Sequence, residues 1–269
     1  MNMPHAAEGR WYEITNADEI SSPALVMFPD RIEENIRGMI RTAGSPDRLR
    51  PHVKTHKTAE IVAMQMKQGI AKFKCATIAE GEMTAACGAR DVLLAMQPVG
   101  PAVGRFFALK AKFPGSAVSA IVDSEPVVEA IATMAASVET KACLWLDVNS
   151  GMNRTGVAPG AEAVRLYRLI LERPWLEVGG LHVYDGNIHE PDLAARTREC
   201  EAQFAPVQVM IDDIRRAGLP IPAVVAGGTP TFPMHARREG VELSPGTTLL
   251  WDYGYSTSYP DLNYLLAAL

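Results

Sequence analysis

The chain has 269 residues, 48% of them hydrophobic, enough for one large buried core arranged either as a single barrel or as two small domains. A net charge of -5 argues against nucleic acid or an anionic membrane as partner, since both reward a basic surface. Four cysteines, Cys75, Cys87, Cys143 and Cys200, form no C-x-x-C pair and read as reduced thiols of a cytoplasmic protein.

The first twenty residues carry Glu8, Arg10, Glu13, Asp18 and Glu19, which leaves no room for an apolar signal core. A strand is expected at 24–28, then a helix at 30–42 with Asp30 at its N-cap. A strand at 49–53 and a helix at 59–68 follow, the helix ending before Gly69. The same alternation continues with strands at 72–76, 91–95, 117–122, 142–147, 178–183, 223–226 and 241–243. Between them, period-3.6 patterns predict helices at 79–88, 102–112, 126–137, 161–172 and 194–217. Ser124 stands where an N-cap belongs, and Gly88 and Gly218 where helices end. The uncharged stretch 217–236 could span a bilayer by length, but four prolines and three glycines make it loops around one strand.

Strand and helix alternating this often imply a parallel sheet with helices outside. Nine strands exceed an eight-stranded barrel by one, so 24–28 is the supernumerary and the (β/α)8 TIM-type barrel begins at Leu49. No G-x-G-x-x-G turn follows the early strands, which disfavours an open doubly wound sheet. The chain divides into an N-terminal segment (1–45), the barrel (46–250) and a C-terminal stretch (251–269).

In such a barrel the chemistry lies at the C-terminal strand ends. The first strand runs into Arg50-Pro-His-Val-Lys-Thr-His-Lys57, and strand alternation would put Arg50, His52 and Lys54 on one face. A desolvated lysine among cations loses basicity and becomes an imine-forming nucleophile; the competing reading is a solvated basic loop. The last two strands end in Ala226-Gly-Gly-Thr-Pro-Thr231 and Ser244-Pro-Gly-Thr-Thr248, turns able to present backbone N–H groups to phosphate. Arg154 lies in the glycine-bounded loop after 142–147, and His182 and Tyr184 share one face of the next strand. An ion-pair role for Arg154 and a core role for Tyr184 are the plain alternatives. His5, His56 and His235 show no metal-ligand spacing, so no metal site is expected within the chain.

The ordered motifs R-P-H-V-K-T-H-K, G-M-N-R-T-G, G-L-H-V-Y-D-G, A-G-G-T-P-T and S-P-G-T resemble the D-threonine aldolase/D-serine dehydratase-like family from Pro23 to the last residues. These are fold-type III pyridoxal-phosphate enzymes whose barrel is shared with alanine racemase. The resemblance implies that Lys54 is the catalytic lysine that binds pyridoxal 5'-phosphate, with His52 beside it. It implies Arg154 at the cofactor's 3-oxygen, Tyr184 beside the pyridine ring, and Gly228, Thr229, Gly246 and Thr247 around the phosphate. Ser244 stands where alanine racemases have an arginine, so a cationic partner for the ring nitrogen is missing and racemisation is disfavoured.

The implied activity is retro-aldol cleavage of a D-β-hydroxy amino acid to glycine and an aldehyde. A dehydratase acting on D-serine or D-3-hydroxyaspartate, a non-catalytic cofactor carrier, and a phosphate-binding barrel without this cofactor are the alternatives. Relatives continue into a β-rich domain whose histidine, with a cysteine or aspartate, binds a divalent metal; those ligands are not in this chain. The expectation is therefore a shortened chain with little turnover and an exposed apolar tail at 265–269, prone to self-association. The resemblance also allows a homodimer.

Overall fold

A computed structural model describes residues 10–269. Its frame is an all-parallel sheet with strands in chain order: β1 Lys72–Cys75, β2 Asp91–Leu94, β3 Ala117–Val122, β4 Ala142–Val148, β5 Leu176–Val183, β6 Val224–Ala226 and β7 Val241–Leu243. Helix α1 (Pro29–Ala43) precedes the sheet. The crossovers are α3 (Ile78–Ala86), α4 (Pro101–Lys112), α5 (Glu125–Ser137), α6 (Ala161–Glu172), α7 (Leu193–Arg216) and α8 (Phe232–His235); α2 (Ala59–Lys67) leads into β1, and α9 (Tyr253–Ser258) follows β7.

Helix α1 forms because Ile32, Ile36, Met39 and Ala43 recur at helical spacing and are buried together. Its cap residue is Phe28, not Asp30. Pro29 takes the first helical position, where a missing N–H costs nothing, and Asp30 sits in the first turn, where its charge meets the helix dipole. Ser124 is the N-cap of α5, although its side chain makes no capping bond.

The sheet curls until both edges meet one extended segment, 49–52. Arg50 N donates to Leu243 O at 2.8 Å and His52 N to Pro245 O at 2.9 Å on one side, and Lys74 N donates to Pro51 O at 2.9 Å on the other. Alternation then sorts the strands into two faces. Outward residues such as Phe73, Val92, Ala120, Leu144, Leu181 and Val224 join the main core under the helices. Inward residues are of another kind. At the N-terminal end Arg50, 1% exposed, grips Asp91 with both Nη atoms (2.6 and 2.8 Å) and donates from Nε to Glu242 (2.7 Å), which also pairs with Lys72. Above it Leu93, Ile121, Trp145 and Val225 form an apolar plug.

Two expectations are corrected. Residues 24–28 form no strand of the sheet: Met27 makes a single antiparallel bridge to Ala268. The tail at 265–269 is not an exposed run either. Asn35 bonds Leu265 through both its amide nitrogen and its oxygen, Val26 and Phe28 donate to Leu269 O and Ala267 O, and Ala267 is fully buried. The apolar tail thus has a place to pack, against α1 and the segment before it, and the premise for self-association is gone. Among the described residues no helix is long and apolar enough to cross a membrane.

Candidate active site

At the C-terminal strand ends the inward face opens into two adjoining clefts that share His52, Lys54, Lys74 and Tyr184. The larger, of about 450 Å³, extends past Met96, Gln97, Asp123, Asp147, Met152 and Arg154. That is a normal size for a small-molecule site. The smaller runs between the turns carrying Gly228, Thr229, Gly246 and Thr247.

Lys54 does not continue the strand. Extended backbone stops at His52, and Val53–Thr55 form a 3-10 turn capped by His52, whose Nδ1 accepts from Lys54 N at 3.3 Å. Strand alternation is therefore the wrong reason for Lys54 facing inward; the turn puts it at the junction of both clefts. Surrounding protein and the Arg154 guanidinium lower the Lys54 pKa. Burial, then the charges of Lys74 and Lys54, push His52 well below the usual histidine range, so it caps the turn as a neutral ring.

Tyr184 stands amid three basic groups: Lys54 Nζ, Lys74 Nζ and the Arg154 guanidinium lie 5.4, 5.5 and 5.2 Å from its ring centre. The Arg154 loop returns to β4 through a Val148–Val157 bridge, and Gly156 N donates to Asp123 at 2.9 Å. Gly156 is required there: at φ 93° an added Cβ would stand 2.7 Å from Asn149 N.

The two glycine turns are tied together by Thr229 Oγ1, which accepts from Gly246 N (3.1 Å) and Thr247 N (3.0 Å). Gly228 N is turned away from the cleft, toward Asp185 Oδ1 at 3.0 Å. Asp185 also accepts from Thr231 Oγ1 (2.9 Å) and meets His235 Nε2 at 2.8 Å; Cys200 Sγ lies 3.4 Å from the same nitrogen. His235 thus does belong to a set with ligand chemistry. Asp185, Cys200 and His235, all buried, place one donor atom each within 4.8 Å of one another and could hold an ion, although spacing gives no sign of it. As it stands the set is a hydrogen-bonded brace under the phosphate-type turn, with burial pushing the Cys200 thiol up to about 12. His56 is a backbone cap whose Nδ1 accepts from Thr58 N, and His5 lies outside the described residues.

The residue that sequence reasoning missed is Lys74, 2% exposed on β1 and lining both clefts. The signal was a strand, Lys72-Phe73-Lys74-Cys75, whose two lysines share one face and must therefore turn inward together if Phe73 and Cys75 face the core. Its Nζ lies 3.3 Å from His182 Nε2, and His182 Nδ1 lies 2.7 Å from Asp147 Oδ1. Asp147 would be lifted by burial, but hydrogen bonds from His182 and Thr155 hold it below the ordinary value. Burial and the Lys74 charge lower His182. The neutral imidazole donates from Nδ1 to Asp147, leaving Nε2 to accept from Lys74.

Residues 29–255 match the sequence model of the alanine racemase N-terminal domain. D-threo-3-hydroxyaspartate dehydratase of Delftia sp. (strain HT23) is 30% identical over 239 residues, 87% of this chain and 62% of that protein. D-threonine aldolase of Arthrobacter sp. is 26% identical over 243 residues, 89% of this chain and 63% of that one. The structure of D-threonine aldolase from Filomicrobium marinum superposes with a TM-score of 0.85 at 27% identity, covering 93% of this chain and 68% of that chain. An alanine racemase from Clostridium difficile shares the fold, with a TM-score of 0.77 at 17% identity over 93% of this chain and 68% of that chain. The chain spans less than two thirds of the length of these two curated relatives.

Proposed function

The chain belongs to the alanine racemase N-terminal domain family, and on that footing we propose that it is a pyridoxal-phosphate lyase acting on D-β-hydroxy amino acids. Segment 49–52 then counts as the first strand of an eight-stranded (β/α)8 barrel, since it hydrogen-bonds to both sheet edges. The observation that carries the reading is the position of Lys54: a lysine of lowered pKa where an open cleft meets a narrow one lined by two glycine–threonine turns.

The site fits the cofactor on two counts. Ser244 Oγ is buried in the narrow cleft with no hydrogen-bond partner among the described residues, a donor waiting for an acceptor. At Gly246 an added Cβ would stand 3.0 Å from Thr55 Oγ1, so the turn and the lysine-bearing turn approach closely there and a side chain would press them apart. Lys54 would hold the cofactor, with the Thr229, Gly246 and Thr247 turns around its phosphate, Tyr184 against its ring and Arg154 beside it. When bound, the cofactor supplies an electron sink for the bond that breaks at the substrate's Cα. Ser244 offers a neutral hydroxyl rather than a cation, which favours cleavage over racemisation.

D-Threonine aldolase relatives support retro-aldol cleavage as the main reading; the dehydratase at 30% identity favours loss of the β-hydroxyl as the second. Borohydride treatment of the cofactor-loaded chain, followed by peptide mass spectrometry, tests the site: reduction should fix the cofactor on Lys54, and fixation on Lys57, Lys72 or Lys74 refutes it. Assays with D-threonine and D-serine then divide the activities, since aldolase action releases glycine and dehydration releases ammonia.

A further inference from the structure

Lys74 has no place in the assignment above, yet it is the most confined amine of the site. It lies at the C-terminal end of β1, paired with Leu93 of β2 and bridged to His52, with its side chain inside the curl of the sheet. The titratable and charged groups around it come from three parts of the chain: Arg50, His52 and Lys54 from the 49–52 segment and the turn after it, Asp147 from β4, and His182, Tyr184 and Asp185 from β5 and its end. Of these only His182 is within hydrogen-bonding distance, and it is itself locked by Asp147.

A lysine that served only to fill space here would be poorly chosen. Methionine or leucine has similar bulk and carries no charge to desolvate. We propose that Lys74 is a second catalytic lysine, whose ε-amine, aimed by the His182–Asp147 pair, takes up the proton of the substrate's β-hydroxyl. The inference rests on the lyase reading above. The amine is suited to the task because burial and the Lys54 charge bring its pKa down to about 7, where a base is both free and strong enough to act. In the step it performs, the O–H bond breaks and an N–H bond forms on Lys74. The oxygen's electron pair closes the aldehyde C=O as Cα–Cβ breaks, and that bond's pair passes to Cα. Returning the proton from the Lys74 ammonium to Cα completes glycine and restores the amine.

His182 is then a positioning residue. Its Nε2 accepts one Lys74 N–H, and this turns the nitrogen's lone pair away from β5. A distinct role follows for each lysine over the Tyr184 ring: Lys54 holds the cofactor and Lys74 handles the proton.

The test begins with the chain free of substrate, so that turnover is not needed to read it. Trace acetylation with acetic anhydride across pH 5–11, quantified on the Lys74 peptide, reports the fraction of neutral amine. A midpoint near 7 is expected, and one near the ordinary lysine value of about 10 overturns the proposal. D-Threonine cleavage is then followed as a single turnover with enzyme in excess, which reads even a slow wild-type rate, in wild type, Lys74→Gln and Lys74→Arg, all with the cofactor fixable by borohydride on Lys54. Both variants should lose roughly 10²–10⁴-fold in turnover, arginine because it keeps the cation but not a neutral form. His182→Gln should lower kcat with little change in KM. Turnover of Lys74→Gln at the wild-type rate sinks the assignment of the base and leaves the lyase reading intact. Failure of borohydride to fix cofactor on Lys54 sinks the lyase reading, and the acetylation midpoint still decides the state of Lys74.

Discussion

Replacing Lys74 by methionine should stabilise the folded chain, and by an amount that depends on pH. The unfolded lysine titrates at the ordinary value of 10.5 and the folded one at about 7. Below pH 7 the amine is charged in both states, so the folded state bears the full cost of burying it. Between pH 7 and 10.5 the unfolded chain alone carries the extra proton, so wild-type stability rises with pH and the penalty shrinks. From these two values the penalty is roughly 4 kcal/mol at pH 7 and about 2 kcal/mol at pH 9. Against it stands the loss of a partner for His182 Nε2, about 1–3 kcal/mol and insensitive to pH in this range. Lys74→Met should therefore gain roughly 1–3 kcal/mol at pH 7 and close to nothing at pH 9. Urea unfolding of both cofactor-free chains at the two pH values measures it. A variant–wild-type difference that is the same at pH 7 and pH 9 would show that Lys74 keeps its proton in the folded protein, and the reasoning would fail.

Three further outcomes are expected. Lys54→Ala should abolish borohydride fixation of the cofactor and also raise the Lys74 midpoint in trace acetylation, because the Lys54 charge is one of the causes that lower it; an unmoved midpoint would separate the two amines. Gly246→Ala brings a methyl within 3.0 Å of Thr55 Oγ1 and 3.4 Å of His52 Cβ, so cofactor affinity should fall about tenfold, or ~1.4 kcal/mol, while Gly104→Ala, which has open space, leaves it unchanged; absorbance titration compares them. Asp185→Asn leaves His235 Nε2 facing an amide and weakens the brace under the Gly228 turn, so thermal unfolding should show a loss of roughly 1–3 kcal/mol, and an unchanged melting temperature would rule the brace out.

Much of the frame was legible in the sequence. Residues 117–122, 161–172 and 241–243 were expected with the bounds they have, and the remaining strands of the sheet fall within two residues of their expected ends. Periods of two and 3.6 express what a short segment does on its own when one face is buried, so they survive without knowledge of the rest. The lysine-bearing motif and the two glycine–threonine turns were legible for the same reason, since each is a local pattern with a local chemical meaning.

What the sequence could not supply is everything decided by closure of the sheet. Alternation was carried two residues too far, to Lys54, because nothing local announces that the strand gives way to a 3-10 turn at Val53. The tail looked bare because Asn35, which bonds it, lies 230 residues away. Asp185, Cys200 and His235 are 15 and 35 residues apart and meet only when α7 and α8 are brought to the turn that follows β5. Lys74 is the clearest case. In the sequence it is one of two lysines in a four-residue strand, as fit for solvent as for the interior. Its surroundings are set by Lys54, Asp147, His182 and Asp185, brought from three other parts of the chain. Periodicity belongs to each segment alone, whereas the protonation of an inward charge is a sum over neighbours that only the tertiary structure assembles.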